Sequence, residues 1–132
     1  MTECVFCLRD SLEIIAENKL ALAFYDNCPV SNGHLLVIPK RHVETFFDAS
    51  PEEHMAISQL IIELKSLLDK NFSPDGYNIG ANVGQAAGQT VFHFHIHVIP
   101  RYRGDVEDPR GGLRKVISNR NPHLKCSKNS LH

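Results

Sequence analysis

A chain of 132 residues, 42% hydrophobic and 22% charged, with a formal net charge of −1, fits one globular domain with a core of its own. No stretch approaches the roughly 20 apolar residues of a membrane span, and Met1-Thr2-Glu3-Cys4 lacks the basic start and apolar run of a signal peptide. A cytoplasmic, membrane-free protein is therefore expected, with Cys4, Cys7, Cys28 and Cys126 as reduced thiols or metal ligands. The charge is uneven: residues 101–132 hold eight Lys/Arg against three Asp/Glu. That divides the chain into a domain over 1–110 and a basic tail over 111–132; no nucleic-acid partner is expected.

In chain order, the apolar runs Leu12–Ala16 and Leu20–Tyr25, split by Glu17-Asn18-Lys19, predict a β-hairpin. Cys28–His34 carries Pro29, Ser31, Asn32 and Gly33 and reads as a loop, followed by a buried strand over Leu35–Pro39. A short helical turn is expected over Val43–Phe47. Ser50-Pro51-Glu52-Glu53 is a helix start: Ser50 caps, Pro51 suits the first helical position and Glu53 completes a capping box. Met55, Leu60, Leu64, Leu67 and Leu68 then recur at helical spacing, to about Asn71. Tyr77–Asn82 predicts a strand, Gly84–Gly88 a glycine-rich loop and Phe92–Ile99 a further strand. Strands, a long helix and strands again make an α+β fold with a mostly antiparallel sheet.

Phe92–Ile99 carries the most chemistry. In an extended strand, Phe92, Phe94, Ile96 and Val98 would face the core, and His93, His95 and His97 would share the opposite, open face. One histidine in such a place is ordinarily structural. Three in strict alternation suit chemistry near neutral pH, with a histidine-only metal site as the alternative.

His93-Phe94-His95-Ile96-His97-Val98-Ile99 resembles the motif of the histidine-triad family. The likeness extends to Gly33-His34-Leu35-Leu36-Val37-Ile38-Pro39-Lys40, and to Asn82-x-Gly84 with Ala87-Gly88-Gln89-Thr90, which resembles the family's phosphate loop. It covers about residues 4–110. It implies a five-stranded antiparallel sheet with two helices, one long, and a two-fold dimer.

The resemblance also implies roles. His95 would be the nucleophile, attacking an α-phosphorus and forming a nucleotidyl-histidine that water then hydrolyses. His97 would touch the phosphate and assist the leaving group. Gln89 and Thr90 would donate to phosphate oxygens or orient the water, and Asn82 and Gly88 would contact the phosphate. Asp26, eight residues before His34, matches the family's ribose-binding side chain, whose carboxylate suits a ribonucleotide such as AMP. His34 matches a histidine that supports the triad from behind.

Cys4-Val5-Phe6-Cys7 has metal-knuckle spacing; idle thiols and a redox pair are the alternatives. The resemblance supplies His42 and His93 as the other two ligands of a structural zinc, as in Cys-bearing relatives. Cys28 and Cys126 read as plain thiols, and His54, His123 and His132 as residues without function.

For function, Pro100-Arg101-Tyr102-Arg103-Gly104-Asp105 resembles the triad hydrolases of diadenosine polyphosphates. A purine-nucleoside phosphoramidase, a nucleotide-binding protein with little activity and a zinc-dependent interaction module are the other readings. Arg101, Arg103, Arg110 and Arg114 follow the triad strand, and some of them are expected at the exit side of the site, favouring a highly charged substrate.

Overall fold

A computed structural model describes residues 4–117. Its strands are β1 (Ile14–Glu17), β2 (Ala21–Tyr25), β3 (Leu35–Pro39), β4 (Gly76–Gly80) and β5 (Ile96–Arg101). They form one sheet in the order β1-β2-β3-β5-β4, every neighbouring pair antiparallel. One α-helix, α1 (Pro51–Phe72), joins β3 to β4. The second helix implied by the resemblance is absent among the described residues; short 3-10 turns stand elsewhere, including Phe46–Asp48 where a helical turn was expected. Tail residues 118–132, with Cys126, His123 and His132, lie outside the described residues.

The start of α1 follows from its first four residues. Ser50 Oγ accepts from the Glu53 amide at 3.1 Å, and Glu53 Oε1 accepts from the Ser50 amide at 2.9 Å. Both orphan donors are thereby satisfied. The Glu53 carboxylate also receives two bonds from Arg41, at 2.7 and 3.2 Å, which hold it below the usual carboxylate range. The helix stops at Ser73, which takes a left-handed conformation (φ 50°) just before Pro74.

Alternation along β2 and β3 then divides the core between two faces. Ala21, Ala23, Leu35 and Val37 pack with Ile57, Leu60, Leu64 and Leu68 of α1, and with Phe94 and Val98. Leu22, Phe24, Leu36 and Ile38 point the other way and pack with Phe6 of the N-terminal segment. Met55 does not join the helix stripe and is exposed. It stands five residues before Leu60, about 140° round the helix.

β5 is shorter than the sequence pattern predicts, and Phe92 is exposed instead of facing the core. Its pairing with β3 ends at Val37↔Ile96. Two positions further, Phe94 would stand opposite Pro39, which has no N–H to continue the ladder. The Phe94 amide bonds Val43 O instead, at 2.7 Å. His93 and His95 therefore sit on the approach to the strand, and His97 lies within it, opposite Leu36 and Gly80.

Candidate active site

The face carrying the triad is covered. The N-terminal segment lies over it, so His93 has no exposed surface and His95 only 8%. A cleft of about 780 Å³ opens beside them. It brings together Asp26, Asn82, Gly88, Thr90, His95 and His97, with Phe6, Leu12, Phe24 and Leu36 among its apolar walls.

The hydrogen bonds assign a proton to each buried ring. A carbonyl oxygen only accepts, so the ring nitrogen facing it must donate. His95 Nδ1–H donates to the His93 carbonyl at 2.8 Å, which leaves the Nε2 lone pair of His95 unengaged. Burial pushes the His95 pKa down, against opposing pulls from the His93 carbonyl and Asp26. The ring is thus a neutral imidazole with its lone pair free, the form a nucleophile needs.

A second chain of bonds fixes His97. The Val30 amide donates to His34 Nδ1 at 3.1 Å, so the neutral His34 ring carries its proton on Nε2. That proton faces His97 Nδ1 at 3.0 Å. His97 Nδ1 accepts, and its own proton stands on Nε2. Burial is the largest cause pushing the His97 pKa down, to about 4, and protonation of His95 or His34 would add repulsion in the same direction. His97 is therefore a neutral donor at neutral pH. His34 lies behind it and does not line the cleft, and Asp26 Oδ2 stands 3.5 Å from His34 Nε2. Asp26, His34 and His97 place their ligating atoms within 4.8 Å of one another, but the Val30 amide engages one nitrogen of His34 and a proton occupies the other. This trio is a hydrogen-bond relay and has no free lone pair on His34 for a metal.

Gln89 departs from its expected role. It is 2% exposed, and its side chain is fully engaged. Oε1 accepts from the Gly84 amide at 2.8 Å, and Nε2 donates to Glu44 O at 2.7 Å and Val91 O at 3.1 Å. A buried amide needs such partners. Gln89 braces the Gly84–Gly88 loop and does not reach the cleft, whereas Thr90, its neighbour, does.

The arginines depart as well. Arg101 grips Asp105 with two bonds, at 2.7 and 2.8 Å, and reaches Asn78 Oδ1 at 2.6 Å. Arg103 stands 3.7 Å from Asp75, and Arg110 bonds Asp108. None of the four expected arginines lines the triad cleft. Asp75, Asp105 and Asp108 neutralise Arg101, Arg103 and Arg110 where they stand.

Cys4, Cys7, His42 and His93 form a separate cluster, with all four ligating atoms within 4.8 Å of one another. His93 Nε2–H donates to Pro39 O at 2.9 Å, so the Nδ1 lone pair faces Cys4 Sγ at 3.5 Å and Cys7 Sγ at 3.6 Å. His42 Nδ1 stands 3.4 Å from Cys7 Sγ. Tetrahedral zinc with Zn–S near 2.3 Å and Zn–N near 2.05 Å has an S···N edge of about 3.6 Å, so the donors present fit that ion. The backbone bond to Pro39 is the kind of outer contact that fixes a metal-bound histidine.

Phe6 is the wall residue that sequence reasoning passed over. Its ring meets His95 edge-on at 5.1 Å between centroids and Phe24 at 5.2 Å. The signal was its place between two candidate ligands, which ties it to wherever the cysteines are held.

Comparison with known proteins agrees with this geometry. The HIT domain family matches residues 10–104. An uncharacterized HIT-like protein of Methanocaldococcus jannaschii is 43% identical over 86% of this chain and 91% of its own. A HIT family protein of Bacillus anthracis, solved by crystallography, superposes with a TM-score of 0.73 at 39% identity, over 78% of this chain and 76% of the other. Two relatives with named activities are each 36% identical: an adenylylsulfatase of Arabidopsis thaliana and an asymmetrical bis(5′-nucleosyl)-tetraphosphatase of Schizosaccharomyces pombe. They share 78% and 73% of this chain, which spans about half the length of each, 54% and 53%. With the match running through most of its length and the three histidines in the order and setting described, the chain belongs to the HIT family.

Proposed function

We propose that this protein hydrolyses nucleotides at the α-phosphate through a covalent nucleotidyl-His95, and that its substrates release an anionic oxygen leaving group. The observation that carries the reading is the His95 Nδ1–H bond to the His93 carbonyl, which commits the Nε2 lone pair to attack. Asp26 binds the ribose hydroxyls of an AMP-containing ribonucleotide. Asn82, Gly88 and Thr90 meet the phosphate. In the first step an N–P bond forms at His95 Nε2 and the bond from phosphorus to the leaving group breaks, its electron pair going to the departing oxygen. His97 Nε2–H hydrogen-bonds that oxygen. In the second step water attacks phosphorus and gives up a proton to solvent, the N–P bond breaks with its electron pair returning to His95 Nε2, and nucleoside monophosphate leaves.

The choice of leaving group follows from His97. The His34 bond to its Nδ1 and its burial keep the ring a neutral Nε2–H donor at neutral pH. A polyphosphate or sulfate departs as a stable anion and needs only a hydrogen bond. An amine must be protonated as it departs, and a neutral imidazole is a poor acid for that. This supports the diadenosine polyphosphate reading over the phosphoramidase one, and replaces the arginines as its ground. The two relatives with named activities, a nucleosyl-tetraphosphatase and an adenylylsulfatase, both release such anions. A substrate panel tests it: diadenosine tetraphosphate and adenylyl sulfate should exceed adenosine phosphoramidate in kcat/KM by at least tenfold at pH 7. A preference for the phosphoramidate overturns the assignment of the leaving group. A protein that binds AMP and turns over none of the three is the binding protein without activity.

We also read Cys4, Cys7, His42 and His93 as a structural zinc site, and the functional unit as a two-fold dimer. For the dimer the sheet supplies a candidate edge. β4 carries no proline or lysine and exposes Ile79, whereas the opposite edge, β1, is irregular in register and ends at Glu17.

A further inference from the structure

His95 is gripped from two sides, and both grips belong to the Cys4–Cys7–His42–His93 cluster. Its Nδ1–H is held by the backbone carbonyl of His93, the residue whose own Nδ1 faces the two sulfurs. Its ring is met by Phe6, which sits between Cys4 and Cys7 in the sequence and packs against His95 at 5.1 Å between centroids, with the ring planes 84° apart. Arg9 ties the same segment down, donating to Phe6 O and, at 2.7 Å, to Lys40 O beside the end of β3. Phe6 also forms a wall of the cleft. Two sulfurs and two imidazole nitrogens converge beside these grips, all within 4.8 Å of one another.

We propose that the Cys4–Cys7–His42–His93 cluster is the positioning device of the nucleophile. A thiolate-binding divalent cation seats Phe6 against His95 and fixes the His93 carbonyl that sets its tautomer, so occupancy of the cluster decides whether the cleft binds nucleotide. Phe6 is the positioning residue that links them. The proposal rests on His95 as the reacting group, but its test does not use turnover.

The test compares zinc-loaded protein, the same protein stripped by a chelator, and a zinc-loaded Phe6→Leu variant. The readouts are the ¹⁵N shifts of the His95 ring without nucleotide, the affinity for AMP, and circular dichroism for the fold. The zinc-loaded protein should show a single His95 tautomer protonated at Nδ1. Stripping should give a mixture of tautomers and weaken AMP binding about tenfold, because a ligand that must also order its site gives up part of its binding free energy. Phe6→Leu should keep one zinc per chain and yet broaden the His95 signals and weaken AMP by about three- to tenfold. A lost wall contact alone would weaken AMP without touching the His95 signals, and that result overturns the link. A single tautomer and undiminished AMP affinity in the stripped protein overturn the proposal, as does failure to bind zinc. If the stripped chain unfolds, the Phe6→Leu spectrum decides alone. If His95 is never nucleotidylated during turnover, the proposed reaction falls while these readouts still judge the positioning.

Discussion

Replacing His34 separates the relay from the cleft, because His34 touches His97 and does not line the cleft itself. His34→Phe keeps an aromatic ring of similar size and removes the Nε2–H that His97 Nδ1 accepts at 3.0 Å. Two outcomes are open to His97. It can keep its tautomer with a buried acceptor unsatisfied, at a cost of about 1–3 kcal/mol. It can instead move its proton to Nδ1, and then Nε2 presents a lone pair to the departing oxygen and the hydrogen bond is lost where charge develops. The first outcome costs stability only; the second, expected because it spares the buried Nδ1 from lacking a donor, costs about 1.5–3 kcal/mol in the transition state, roughly 10–100-fold in kcat. Asp26, the proposed ribose ligand, loses its contact with His34 Nε2 at 3.5 Å but keeps its place in the cleft, so KM should stay within about threefold while kcat carries the larger loss. Steady-state kinetics with diadenosine tetraphosphate at pH 7 measure both. His34→Gln, whose amide can donate to His97, should recover part of the rate. A folded His34→Phe protein with undiminished kcat would refute the relay.

Gly33 has φ +87°, and a Cβ there would stand 2.9 Å from the Phe72 ring. Gly33→Ala combines a left-handed strain with a clash, and should destabilise by about 2–4 kcal/mol in thermal or urea unfolding. His97 gives the pH dependence: its ordinary value is near 6.5 and its folded value about 4. Between those values the unfolded chain binds more protons, so stability is full above about pH 6.5 and falls as pH drops to 4. The loss is about 1–3 kcal/mol after allowance for partial exposure, and unfolding titrations in that window measure it. His97→Gln should flatten the slope there.

The parts of the fold readable from sequence were those set by local chemistry. Ser50, Pro51 and Glu53 announced α1 because a capping box satisfies its own donors, and the apolar run Leu35–Pro39 coincided with β3. The start of β5 was not readable, because it depends on which residue of another strand stands opposite: Pro39 ends the ladder and its carbonyl takes His93 instead. The same limit applies to Gln89 and Arg101. Their side chains suit phosphate contacts, but Gly84, Glu44 and Val91 consume the amide, and Asp105 and Asn78 consume the guanidinium. Pairing of that kind spans up to 45 residues and leaves no periodic trace. Phe6 was hidden differently. Its neighbours Cys4 and Cys7 drew the reading toward a metal, and only the folded chain brings its ring to His95.

Trapping the intermediate tests the covalent role of His95 most directly. Protein mixed with diadenosine tetraphosphate, quenched in alkali where a phosphorus–nitrogen bond survives, should carry one nucleotidyl group per active site. Peptide mapping by mass spectrometry should place it on His95, and ³¹P–¹⁵N coupling should place it on Nε2. His95→Ala should carry no label and lose turnover, while AMP still binds. A label on another residue, or full turnover in His95→Ala, would contradict the mechanism.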